Sequence, residues 1–292
     1  MPPIDRPADQ RLVSLTAGNT VVDVAPGAGG RVAQIRVEGE PLLVDVPADV
    51  TTDRQMQWGS FPMAPWAGRL REGRFAFDGE SHELATNHRD RAGDDDAGSD
   101  RRRSHSIHGT VFTRPWAVEE ATASAVVMSC PLEGALGWRF AGVATQRIEA
   151  GEDGVRCDLT VTSDGERFPV VVGWHPWFRA PGRLVFRPTA MYVRDEFGIP
   201  TGEIVEPRPG PWDDCFVNTE PVILLYDRAV AAEVTVSSDC DHWVVFDRME
   251  HATCVEPQSG PPDAFNLGDR AVGGLVTIDP STPLHRTMSI SW

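Results

Sequence analysis

The sequence predicts an all-β protein, a large antiparallel β-sandwich, on three observations. Apolar and polar residues alternate with the two-residue period of a half-buried strand, as Val155, Cys157, Leu159 and Val161 do around Arg156, Asp158 and Thr160. Turn residues are dense, with 27 Gly and 24 Pro spread along the chain, so no long amphipathic helix has room to form. Hydrophobic residues make up 41% and charged residues 24%, the balance of a chain able to bury a core.

The elements follow in chain order. The start, Met1 to Arg6, lacks a basic segment followed by an apolar stretch, and no apolar run approaches the ~20 residues needed to span a bilayer. A cytoplasmic location without membrane insertion is the resulting expectation. Gly27, Ala28, Gly29 and Gly30 lack both the dinucleotide spacing and the Walker lysine, and read as a turn between strands. After them Ala33, Ile35 and Val37 alternate with Gln34 and Arg36. Asp78-Gly79, between two short alternating runs, reads as a two-residue hairpin, and Asp164-Gly165 as a second turn. At the C-terminus Met288, Ile290 and Trp292 alternate with polar residues. The segment from Arg89 to Arg103 has no apolar residue larger than Ala and is expected to be a mobile surface loop. No linker divides the chain, so residues 1–292 are expected to form a single domain.

A formal net charge of -16 excludes a general nucleic-acid surface, which needs clustered Lys and Arg to neutralise phosphates. Otherwise the charge serves solubility and says little about fold. Cys130, Cys157, Cys215, Cys240 and Cys254 are odd in number and contain no CxxC pair, which fits buried thiols in a reducing compartment.

Four stretches set ionisable residues beside Gly, Pro and aromatics, a composition suited to rigid loops lining a carbohydrate cleft. They are Met63 to Leu70 (MAPWAGRL), Ser106 to Gly109 (SIHG), Gly173 to Phe178 (GWHPWF) and Cys254 to Asn266 (CVEPQSGPPDAFN). A fifth, Trp212 to Phe216 (WDDCF), is weaker. Taken residue by residue these stretches leave alternatives open. His175, between Trp and Pro, is as compatible with a satisfied core histidine as with catalysis. Glu256 has apolar neighbours at Val255, Pro257 and Phe265, unlike an ordinary solvated carboxylate. Arg69 competes with a plain surface arginine. Trp66 and Trp177 could each lay a ring on the apolar face of a pyranose or belong to the core. His105 and His108 have the HxxH spacing of a metal site, but no Cys or carboxylate lies at ligand spacing, and no metal is expected.

In their order and spacing, these motifs resemble the aldose 1-epimerase (galactose mutarotase-like) family over nearly the whole chain. The resemblance implies a galactose mutarotase-like supersandwich and a cofactor-independent isomerase that interconverts the α and β anomers of a small sugar, as a monomer or homodimer. It makes Glu256 the base, His175 the acid and His108 a second hydrogen-bond donor toward the ring oxygen. It assigns Arg69 and Asp213 to sugar hydroxyls, with Asp214 leaving the register of the aspartate uncertain by one. Two positions depart from the family pattern: Gly68 stands where many relatives have Asn, and Trp177 where Tyr is usual. Three other functions compete. A hexose-6-phosphate 1-epimerase would draw on Arg69, Arg71 and Arg74. A non-catalytic sugar-binding protein would need no acid–base pair. A glycosidase would need Asp213 and Glu256 at roughly 5–9.5 Å.

Overall fold

The computed structural model describes residues 12–47, 56–91, 102–227 and 231–292. Among them the strands form two large sheets, and every pairing between named strands is antiparallel. The first sheet, of eleven strands, has at its centre Ser60–Met63, Gly173–Arg179, Ala252–Gln258 and His242–Phe246, in that order. Val13–Ala17, Thr20–Ala25 and Arg31–Val37 extend it on one side. Asp213–Val217, Ala190–Arg194 and Pro200–Val205 extend it on the other. The second sheet, of eight strands, is centred on Gly142–Gly151, Gly154–Ser163 and Leu284–Ser291. The expected all-β sandwich is observed, and among the described residues helix is confined to short turns such as Ala264–Leu267.

Alternation positions the second sheet simply. In Gly154–Ser163 the apolar Val155, Cys157, Leu159 and Val161 are buried and Arg156 is exposed, as the period predicts. Asp78-Gly79 turns the predicted hairpin between Arg74–Phe77 and Glu80–Glu83, with φ of 49° and 80° at the two turn residues. Gln34 departs from the pattern. Its amide is buried and holds the backbone of Leu43 through both its oxygen and its nitrogen, so this strand is covered on both faces. All five cysteines are free and buried. No helix among the described residues is long and apolar enough to cross a membrane.

The central strands of the first sheet are almost continuously buried, and their two faces do different work. Trp174 points toward the second sheet, where its indole donates to Gln146 Oε1 at 2.9 Å. Gln146 Nε2 in turn donates to the Gly30 carbonyl at 2.7 Å, so one buried amide ties the second sheet to the first twice. By alternation the odd-numbered neighbours His175 and Trp177 face the opposite side, away from the inter-sheet core.

The segment expected to be a mobile loop is corrected at its flanks. His88–Arg91 pairs with Arg102–Ile107, with Arg103 opposite Asp90 and His105 opposite His88, and the second strand continues the ladder to Arg69–Leu70. Backbone pairing needs no apolar side chain, so composition alone missed it. Residues 92–101 lie outside the described residues.

Because Gln146 satisfies two buried groups at once, Gln146→Leu is expected to lower stability by about 1–3 kcal/mol. Urea unfolding checks this, with a lowered midpoint and an unchanged m value expected; an unchanged midpoint would contradict the role given to this amide.

Candidate active site

The register of two adjacent strands builds the centre of the site. Gly173 pairs with Gln258 and Trp177 with Cys254, which sets His175 directly across from Glu256 on the same face. His175 Nε2 lies 3.1 Å from Glu256 Oε1, and Gln258 Nε2 donates to Glu256 Oε2 at 3.2 Å. Both partners are buried, Glu256 at 4% and His175 at 7% exposure. The imidazole is held between two rings: Trp177 stacks on it at 5.3 Å and 15°, and Phe61 lies at 4.7 Å.

His108 reaches the same place from a tight turn. Its own φ is 60° and that of Gly109 is 78°, where a Cβ on Gly109 would come within 1.9 Å of the Ala64 carbonyl. Hydrogen bonds from His108 N to the Gly68 carbonyl and from Thr110 N to the Ala64 carbonyl fix the turn. The His108 ring then meets His175 edge-on at 5.0 Å.

Asp213 enters from across the sheet. It pairs with Phe246, which pairs with Cys254, so Asp213 shares a row with Cys254 and Trp177. Asp214 falls in the alternate row, with Val245 and Val255. Arg194 holds both carboxylates, at 3.1 Å to Asp213 and 3.0 Å to Asp214. Arg69 is held by a carboxylate that sequence reasoning did not single out: its Nε donates to Asp90 Oδ2 at 2.8 Å and its Nη2 to Oδ1 at 3.0 Å.

Burial dominates the electrostatics. It pushes the Glu256 carboxyl well above the usual glutamate range, and the charge of Asp213 adds to the shift. It pushes the His175 imidazole down to about 3 and also lowers His108 well below the usual range, where the other histidine adds to the effect. The 3.1 Å contact has the geometry of an ion pair, yet both partners are driven toward their neutral forms. We read it as a hydrogen-bonded pair with one proton shared between carboxyl and imidazole, because burial acts on both groups. Close by, His108 Nδ1, Trp177 Nε1 and Gln258 Oε1 are buried with no hydrogen-bond partner among the described residues. Polar atoms left unmet inside a protein are costly, and a ligand rich in hydroxyls would satisfy them.

Trp66 and His105 lie apart from the pair. Trp66 is 2% exposed and packs on Trp138 at 5.8 Å, so it belongs to the core and not to the group around His175. His105 and His108 do not converge as an HxxH pair: His105 Nδ1 accepts from the Glu72 backbone N–H, and its ring packs on Phe197. The donor set a metal ion could use lies elsewhere. One ligand atom each from His175, Cys254 and Glu256 falls within 4.8 Å of the others. Cys254, Glu256 and Gln258 recur at the period of a strand, which was the one signal in the sequence that these three share a face.

The architecture is that of galactose mutarotase-like proteins. A putative aldose 1-epimerase from Escherichia coli K12 superimposes with a TM-score of 0.78 at 18% identity, covering 96% of this chain and 98% of that one. A galactose 1-epimerase from Lactobacillus acidophilus NCFM gives 0.74 at 15% identity, covering 99% and 96%. In sequence, the chain is 24% identical to the uncharacterised protein YihR of Escherichia coli K12, over 88% of this chain and 87% of that protein. Residues 11–272 match the family described as aldose 1-epimerase, and the chain belongs to that family.

The shifted carboxyl has a consequence for stability. In the unfolded chain Glu256 gives up its proton in the ordinary carboxylate range, whereas the folded protein holds it to higher pH. Above about pH 4 unfolding therefore releases a proton, and this residue's contribution to stability falls as pH rises. Glu256→Gln removes that loss, so its Tm is expected to gain on the parent's between about pH 5 and about pH 8. A gap that narrows over this range would contradict the raised carboxyl.

Proposed function

We propose that this protein is a mutarotase that interconverts the α and β anomers of an aldose by opening and reclosing the ring. The observation that carries the reading is the buried contact between His175 Nε2 and Glu256 Oε1 at 3.1 Å. Ring opening needs a base for the C1 hydroxyl proton and an acid for the ring oxygen, acting in one bound geometry. A pair that shares one proton supplies both. Its neutral form, carboxylic acid with imidazole, and its charged form, carboxylate with imidazolium, differ only in where that proton sits.

A pyranose bound against the pair gives the charged form hydrogen-bond partners on both sides. The Glu256 carboxylate takes the proton from the C1 hydroxyl while the His175 imidazolium delivers its proton to the ring oxygen and the C1–O5 bond breaks. The open-chain aldehyde rotates about C1–C2, and reclosure runs the two transfers in reverse. One proton enters and one leaves, so no cofactor is consumed. His108 donates a second hydrogen bond toward the ring oxygen, while Arg69 and Asp213 take hydroxyls. The Trp177 ring orients His175, and its indole N–H is free to meet a hydroxyl.

Polarimetry of freshly dissolved α-D-glucose and α-D-galactose tests the reading. The parent is expected to speed the decay of optical rotation, and Glu256→Gln and His175→Asn to lower kcat by about 10²–10⁴-fold each. A Glu256→Gln protein as fast as the parent would overturn the assignment of the base.

A further inference from the structure

Asp90 lies on the ribbon formed by His88–Arg91 and Arg102–Ile107, outside the stretches that carry the family likeness. It occupies both prongs of the Arg69 guanidinium, and His88 Nε2 lies 3.0 Å from the same Oδ1 that receives Nη2. The two side chains are 24% and 12% exposed, so water screens the pair only in part. Burial opposes the charge on Asp90, yet His88 and Arg69 together hold its carboxyl well below the usual aspartate range. Arg69 Nη1 makes no hydrogen bond among the described residues. The neighbouring guanidiniums are matched in the same way, Arg194 by Asp213 and Asp214, and Arg71 by Asp195 and Asp263.

A bare forked guanidinium is a natural ligand for phosphate or carboxylate, because two parallel N–H donors fit two anionic oxygens. Here that fork and its charge are already taken. We propose that Asp90 is a specificity-determining positioning residue: by clamping Arg69 it leaves Nη1 to a hydroxyl and cancels the arginine's charge, so that the cleft takes neutral aldoses and rejects sugar phosphates and sugar acids. The proposal rests on the mutarotase reading for the kind of ligand the cleft holds. It also removes the footing that Arg69 and Arg71 give in sequence to a hexose 6-phosphate substrate.

Calorimetric binding of D-glucose and D-glucose 6-phosphate to the parent, Asp90→Asn and Asp90→Glu tests it, with mutarotation rates measured in parallel. The parent is expected to bind the neutral sugar at least about tenfold more tightly than the phosphate. Asp90→Asn, similar in size but uncharged, is expected to shift the phosphate-to-neutral affinity ratio about tenfold or more toward phosphate, and Asp90→Glu to bring it back. A merely structural Asp90 would weaken both ligands alike. An Asp90→Asn ratio within twofold of the parent's, or a parent that binds the phosphate as tightly as the free sugar, overturns the proposal. The parent comparison can still refute it if Asp90→Asn does not fold. Binding with the expected ratio but no mutarotation would overturn the catalytic reading and leave this one standing; mutarotation with an unmoved ratio would do the reverse. A parent that binds neither sugar overturns both.

Discussion

A carboxyl and an imidazole in contact, both cut off from water, form the arrangement on which the rest of the site depends. Their meeting is a matter of register. A slip of one residue between Gly173–Arg179 and Ala252–Gln258 would turn either His175 or Glu256 toward the second sheet and separate them. Register is secured from the far side, where Trp174 is anchored through Gln146 in the inter-sheet core. Phe61 and Trp177 enclose the imidazole, and the resulting burial drives both groups toward neutrality. Packing thus sets the proton count of the pair, and the proposed chemistry, one pair acting as acid and base together, rests on that count.

Much of the fold was legible because it rests on local rules. Val155 to Val161 alternate, and Asp78-Gly79 form a hairpin turn, wherever they sit in a protein. The strands of the site were harder to read as strands, since burial on both faces turns alternation into continuous aromatic and apolar runs. Gln34 and Trp66 show the limit of reading by residue type: a polar residue is buried by holding backbone groups, and an aromatic beside a functional motif packs in the core. The Asp90 clamp on Arg69 was beyond reach, because it joins two positions 21 residues apart across a segment whose composition marks it only as charged.

The two departures from the family pattern have physical readings. A Cβ on Gly68 would lie 2.6 Å from Pro262 Cγ, at a φ of 65°, so this backbone has no room for an asparagine side chain. Trp177 has no phenol hydroxyl, and its ring stacks nearly parallel to His175. Both changes alter the surroundings of the His175–Glu256 pair and leave the pair itself in place.

That pair's single shared proton is open to direct observation. Infrared difference spectra of the unliganded parent against Glu256→Gln at neutral pH report whether residue 256 carries a carboxylic-acid C=O stretch or the paired stretches of a carboxylate. A buried pair held neutral by desolvation requires the carboxylic-acid band, present in the parent and absent from the variant. A carboxylate signature with no acid band would mean that Glu256 and His175 rest as separated charges, and would contradict it.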